Sequence, residues 1–162
     1  GLDNVRQFHR TLHGEVERSR RYGTEVGLVM IDIDNFKSVN DTYGHQTGDV
    51  VLREVGRIVR ESSREIDTPA RYGGEELVMI LPETDVEGAF QLAERVRLEI
   101  ERLAVPTSDG GELRLTASFG VATQPGQGAD ARELVEAADA ALYEAKAGGK
   151  NRTVRGTRVG LA

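Results

Sequence analysis

The 162-residue sequence predicts an α+β fold with a mainly antiparallel central sheet flanked by helices, and three observations lead there. Apolar runs that read as strands are interspersed with amphipathic helical stripes along the whole chain. Two joins, at Gly73-Gly74 and at Asp109-Gly110-Gly111, are short glycine turns of the kind that connect antiparallel neighbours. A hydrophobic fraction of 38% beside 30% charge is that of a globular chain able to bury a sizeable core.

Residues 4 to 21 carry Val5, Phe8, Leu12 and Val16 at helical spacing amid many charges, which predicts an amphipathic helix. "EVGLVMIDID" follows as a continuous apolar run ending in acids, the pattern of a strand covered on both faces. Asp41 to Gly48 is turn-rich, and "GDVVLREVGRIVRES" then sets Val51, Val55, Ile58 and Val59 on one helical stripe. At Gly73-Gly74 two strand-like segments meet, and a two-residue loop at positive φ is expected to close the hairpin. Val86, Ala89, Phe90, Ala93, Val96, Ile100 and Leu103 trace a helix from about 85 to 103. "ELRLTASFGVAT" reads as a single hairpin strand. Leu134, Ala138, Ala141, Leu142 and Ala145 mark a last helix, stopped by Gly148-Gly149 before a short "NRTV" strand. One domain over residues 1–155 is expected, without repeats or linkers, and residues 156–162 read as a frayed tail.

The absence of cysteine excludes disulfides, thiolate zinc sites and cysteine nucleophiles. A net charge of −6 argues against nucleic-acid binding, yet leaves room for a small local phosphate site. No apolar run has the length of a membrane span and no signal peptide opens the chain, so a soluble, cytoplasmic domain without membrane contact is expected. The opening "GLDNV" lacks an initiator Met and reads as a piece of something longer.

The chemistry gathers in "RYGGEELVMIL", where Glu75 and Glu76 stand at the mouth of an apolar strand. An uncompensated carboxylate at a dry sheet edge is costly, so the pair must face water, meet cations or hold a metal. Asp32 and Asp34 sit at strand parity at the end of another strand, and both project to one side. Taken alone they read as a solvated turn. Beside Glu75 they make an oxygen-ligand pocket suited to Mg²⁺ or Mn²⁺. Neighbours on a strand alternate faces, so Glu75 and Glu76 cannot both point into it. Lys37, Lys146 and Lys150 could meet phosphate, although lysines near a helix C-terminus are commonly dipole partners. Asp49 could accept from N1 and N2 of guanine, which adenine cannot match, but such an acid is more often a helix N-terminal residue. His45 reads as a turn or packing histidine.

"IDIDNFKSVNDTYGHQTGD", "REIDTPARYGGEEL" and "ADAALYEAKAGGKNR", in this order and spacing, resemble the GGDEF family of diguanylate cyclases over nearly the whole chain. The signature stands here as Gly73-Gly74-Glu75-Glu76-Leu77. The resemblance implies a ferredoxin-like fold similar to the palm of adenylyl cyclases and polymerases. It implies that Asp32, the Ile33 carbonyl and Glu75 hold two divalent metals, Mg²⁺ or Mn²⁺, with Glu76 assisting in catalysis. Asn40 and Asp49 would read guanine, with Phe36 beside them in the substrate set, and Lys37, Lys146 and Lys150 would bind the triphosphate. Gly73 and Gly74 would let the nucleotide approach the backbone.

The implied reaction joins two GTP into cyclic di-GMP with release of two pyrophosphates. One guanine pocket presents one GTP, so two copies must face each other as a homodimer. Arg64-Glu65-Ile66-Asp67, five residues ahead of Gly73, matches the family's RxxD product-inhibition site, with Arg95 as a second partner. A surface ion pair is the plain alternative. Leu77 in place of Phe and Lys150 in place of Arg are the departures. The competing readings are an inactive domain that binds GTP or cyclic di-GMP as a signal, a structural dimerisation module, and a cyclase for another nucleotide. A sensory domain upstream is expected outside this sequence.

Overall fold

The computed structural model describes residues 4–126 and 130–157. The chain runs α1 (Val5–Tyr22), β1 (Val26–Ile33), α2 (Phe36–Tyr43), α3 (His45–Ser62), β2 (Thr68–Arg71) and β3 (Glu76–Pro82). It continues through α4 (Val86–Arg102), β4 (Val105–Pro106), β5 (Glu112–Leu113), β6 (Ala117–Gln124), α5 (Ala131–Ala147) and β7 (Thr153–Arg155). Five strands form one mixed sheet in the order β2-β3-β1-β6-β7, with β4 and β5 a separate pair. All neighbours in the main sheet are antiparallel except β6 and β7. This is the expected α+β architecture.

Alternation along β1 and β3 divides the core in two. Val29, Ile31, Ile33, Leu77, Met79 and Leu81 pack under α2, α3 and α4. Leu28, Met30, Val78 and Ile80 pack against Phe8, Leu12 and Val16 of α1 and Leu134, Ala138 and Leu142 of α5. Leu77, where the family signature has Phe, is 3% exposed in the first cluster, so its volume is absorbed by packing. The helices start where caps are available: Asn4, Asp85 and Asp130 each accept a backbone N–H of the first turn through their side chains. On β6, Gly120 lies so close to α5 that a Cβ there would overlap the Ala138 carbonyl oxygen and the Leu142 amide. That contact sets how near α5, and with it Lys146, comes to the sheet.

Three expectations require correction. The turn-rich stretch before residue 49 is helical: α2 ends at Tyr43, Gly44 turns the chain at φ 90°, and α3 begins at His45. Asn40 and Asp49 therefore project from two adjoining helices. The join at Gly73-Gly74 spans Tyr72 to Glu75, and neither glycine has positive φ. It closes instead because the N–H groups of Tyr72 and Gly73 both donate to the Glu76 carbonyl. "ELRLTASFGVAT" is two strands in two sheets; β5 pairs β4 across a turn at Gly110, φ +86°, and β6 then enters the main sheet beside β1. At the start of the expected tail, Gly156 N–H donates to the Val121 carbonyl. Residues 158–162 of the expected tail lie outside the described residues.

Candidate active site

The register of β1 sets the site. Asp32 pairs opposite Glu76 of β3 on one side and Ser118 of β6 on the other. Directly opposed residues share a face, so Asp32 and Glu76 lie on the side covered by α1 and α5. Lys146, on the last turn of α5, reaches the same point. Its Nζ lies 2.8 Å from Asp34 Oδ1 and 3.4 Å from Asp32 Oδ1, and donates to the Asp32 carbonyl at 3.3 Å.

Asp34 is not the solvated turn residue its neighbourhood in the sequence suggested. Its side chain is 1% exposed, against 24% for Asp32. Besides Lys146 it accepts from Thr116 Oγ1 at 2.7 Å, Ser118 Oγ at 2.7 Å and the Asn151 amide at 3.0 Å. Burial alone would raise the Asp34 carboxyl, but the hydrogen bonds from Lys146, Thr116 and Ser118 carry it below its ordinary value. Asp32 goes the other way: burial, opposed by Lys146 and reinforced by the Asp34 charge, pushes it up. Glu76 is raised too, by burial first and then by the charges of Asp32, Asp139 and Glu75, with Lys146 opposing. Negative charge is thus undercompensated between Asp32 and Glu76.

Glu75 precedes the strand and is half-buried, and its carbonyl accepts the Ile33 N–H at 3.2 Å. The Ile33 backbone and both glutamates therefore meet within one turn of chain. At Gly73 an added Cβ would lie 2.8 Å from Glu76 Oε1, and at Gly74 it would meet nothing within 4 Å. The hairpin tip thus leaves open space beside the acids, where a ligand could approach the backbone. Arg71 holds the tip by donating to the Gly74 carbonyl at 2.9 Å. Among the described residues no three His, Cys, Asp or Glu side chains form a cage for a metal. A cation at Asp32 would complete its shell with backbone and ligand oxygens, as Mg²⁺ commonly does with one or two carboxylates.

The remaining expected substrate residues fall on two sides of this point. The Asn40 side chain packs against Gly48, where any Cβ would overlap its Oδ1, and Phe36 is buried beneath the same contact. This locks α2 to α3 and places Asn40 near exposed Asp49. Lys150, at φ 65°, donates from Nζ to Asn35 Oδ1 at 2.7 Å and so stands at the loop after β1 without touching the acids. Lys37 is exposed on the first turn of α2 and makes no hydrogen bond or ion pair among the described residues.

On the far side of the sheet, Arg64 and Arg95 line one cavity of about 410 Å³ with Thr84 and Gln91. Arg64 grips Asp67 through Nε and Nη2, at 2.8 Å for the shorter contact, and Asp67's side chain is fully buried. Its Nη2 also donates to the Pro82 carbonyl and Thr84 Oγ1. The pair therefore ties the α3–β2 turn to the β3–α4 turn.

Sequence reading missed Thr116, Ser118 and Asn151, neutral polar residues that carry no signal until the fold brings two hydroxyls and the Asn151 backbone N–H onto Asp34. Asp139 could have been found: it lies seven residues before Lys146, two helical turns back along one face of α5.

With this geometry in place, the likenesses to known proteins are specific. The family model "Diguanylate cyclase, GGDEF domain" matches residues 1–152. Diguanylate cyclase A of Treponema denticola is 45% identical over 127 residues, 78% of this chain and 34% of its own length. Response regulator PleD of Caulobacter vibrioides is 41% identical over 155 residues, 95% of this chain and 34% of its own. The chain thus spans about a third of the length of these curated relatives. Among solved structures, the GGDEF domain of DgcB from Caulobacter crescentus in complex with c-di-GMP superposes with a TM-score of 0.90 at 36% identity, covering 95% of this chain and 88% of that one. Diguanylate cyclase SiaD of Pseudomonas aeruginosa, in complex with its activator SiaC, gives 0.89 at 42% identity, covering 95% and 58%. No helix among the described residues is long and apolar enough to cross a membrane. By its fold, its signature and these likenesses, the chain belongs to the diguanylate cyclase GGDEF-domain family.

Proposed function

We propose that this domain condenses two GTP into cyclic di-GMP and two pyrophosphates. The observation that carries the reading is Asp32 set directly opposite Glu76 with both carboxyls raised, beside the open space at Gly74. Such a pair attracts a hard divalent cation. Asp32, the Ile33 carbonyl and Glu75 would hold Mg²⁺ or Mn²⁺, two per site, with Glu76 adjoining. When bound, the metals lower the pKa of the attacking 3′-hydroxyl and neutralise charge developing on the phosphates.

The chain's own residues do the positioning. Asn40 and Asp49, held at fixed separation by the α2–α3 contact, orient the guanine edge. Lys146 shares its charge between Asp32 and Asp34, and with Lys150 and Lys37 it receives the phosphates. Gly73 and Gly74 leave the backbone bare where the ribose and α-phosphate lie. One domain offers one such pocket, so two copies meet around a two-fold axis. Arg64 and Arg95 take the product as a feedback inhibitor in the cavity they share, with Asp67 beneath Arg64 holding its guanidinium.

A second reading, a signalling domain that binds GTP or cyclic di-GMP without turning it over, is favoured by the pair of half-exposed Arg64 and buried Asp67, which is complete without catalysis. Incubation of the domain with GTP and Mg²⁺, followed by chromatography of the nucleotides, separates the two. Cyclic di-GMP that disappears in Glu75→Gln supports the cyclase; binding without product supports the signalling domain. Undiminished turnover by Glu75→Gln overturns the metal assignment.

A further inference from the structure

Between α1 and α5 lies a cleft of about 630 Å³ that shares no lining residue with the nucleotide residues or with the Arg64 cavity. Leu12, Ala131 and Val135 supply its apolar surface, and His9, His13 and Glu136 line it as well. His9 and His13 stand one turn apart on α1, and i, i+4 is the spacing at which two imidazoles on one helix face reach a single metal ion. Both are exposed, and among the described residues neither makes a hydrogen bond or an ion pair. The His9 ring is held in place by edge contacts to Phe8, at 5.0 Å between centroids, and to Tyr72, at 6.0 Å. That packing restricts rotamers which a chelate would otherwise have to freeze. Glu136 faces the pair from α5. Its carboxylate rests on Arg132 at 3.0 Å, but both side chains are exposed, and ion pairs of that kind hold weakly.

We propose that this cleft is a zinc site, with His9 and His13 as ligands and Glu136 turning from Arg132 to complete a set of two imidazoles and one carboxylate. The fourth position is left to water. Zn²⁺ takes nitrogen and carboxylate ligands in this number, whereas Mg²⁺ prefers oxygen alone. A zinc-peptidase helix with the same histidine spacing carries Glu directly after the first histidine as its general base; here that residue is Arg10, so the cleft seats a metal without a hydrolytic base. Arg10 and Arg132 also line the cleft and their charge opposes the ion, but their long stems let the guanidinium groups swing into water. Ligands drawn from both helices tie α1 to α5 across the cleft, so metal bound to the folded chain stabilises it. The site is independent of the cyclase reading.

The probe is Zn²⁺, titrated into the untagged domain in excess Mg²⁺, which occupies sites built of oxygen alone, and read by the imidazole resonances in NMR and by the melting temperature. In the wild type the His9 and His13 resonances should move together to saturation and the melting temperature should rise. His9→Gln/His13→Gln should abolish the rise, Glu136→Gln should weaken binding about tenfold, and His45→Gln, which removes the exposed histidine of α3, should behave as wild type. All four replaced residues are exposed, and unchanged melting temperatures without metal check that the variants are folded. Zn²⁺ that leaves the His9 and His13 resonances unmoved, or that stabilises the double variant as much as the wild type, overturns the site. Equal affinity in Glu136→Gln overturns the third ligand, and a wild-type melting temperature unmoved at saturation overturns the tie between the helices.

Discussion

Replacing Asp34 by Asn tests whether one buried carboxylate holds the catalytic end of the sheet together. In the wild type its two oxygens accept from four donors among the described residues, two on each: Ser118 and Lys146 on Oδ1, Thr116 and the Asn151 amide on Oδ2. An Asn side chain offers one oxygen and an NH₂ group, so the donor set on one side meets another donor. The Asn151 N–H cannot rotate away, and Lys146 loses the partner that sits at 2.8 Å. Breaking a buried, hydrogen-bonded charge pair from one side costs about 3–5 kcal/mol. At about 2–4 °C per kcal/mol for a domain of this size, the melting temperature should fall by about 6–20 °C. Asp32→Asn is the control, because the Asp32 carboxyl is raised and its ionised form works against folding. That variant should melt at or slightly above the wild type. Thermal unfolding followed by circular dichroism at pH 7 measures both. An Asp34→Asn domain melting within about 3 °C of wild type, or an Asp32→Asn loss of equal size, would refute the reasoning.

Gly120→Ala should destabilise the domain by about 3 kcal/mol or more, because the new methyl meets backbone atoms of α5, including Leu142 Cα at 2.9 Å, that cannot rotate aside; urea unfolding reads it, and a midpoint shift towards stability would contradict it. Arg64→Ala should relieve product inhibition in the turnover assay and also lower stability by about 1–3 kcal/mol, since among the described residues buried Asp67 is left with the Arg64 backbone N–H alone; inhibition at the wild-type concentration of cyclic di-GMP would remove the proposed control site. The Arg97 hydrogen bond, opposed by burial and joined by Thr153, holds Glu94 below its ordinary value. Its contribution to stability is therefore complete above the unfolded carboxylate range, near 4.5, and is lost as pH falls through the lower folded value. Denaturant midpoints between pH 7 and 3 should fall more steeply on the acid side for wild type than for Glu94→Gln, and parallel curves would refute it.

The elements that were legible are those whose pattern is local. Phe8, Leu12 and Val16 announce α1, and the run Val26 to Ile31 announces a strand buried on both faces, because periodicity depends only on which residues follow one another. The candidate acids and the glycines beside them were legible for the same reason, as residue types crowded into short motifs. The elements misread were those settled by distant partners. The stretch Asp41 to Gly48 looked like a turn until Gly48 gave the Asn40 side chain a seat between two helices. The diglycine turn looked like a primed hairpin until the Glu76 carbonyl collected two N–H groups and made left-handed glycines unnecessary.

The sequence by itself determined the classes of chemistry available: oxygen ligands, lysine and arginine for phosphate, no thiols, and strands enough for one sheet. Only the tertiary structure decided which acid faces which. The β1–β3 register sets Glu76 against Asp32, and the seat of α5 over Gly120 brings Lys146 from 112 residues away onto Asp34. A carboxylate's pKa and role follow from the charges and donors within a few ångströms of it, and those neighbours come from other strands and helices, whose approach no local pattern encodes.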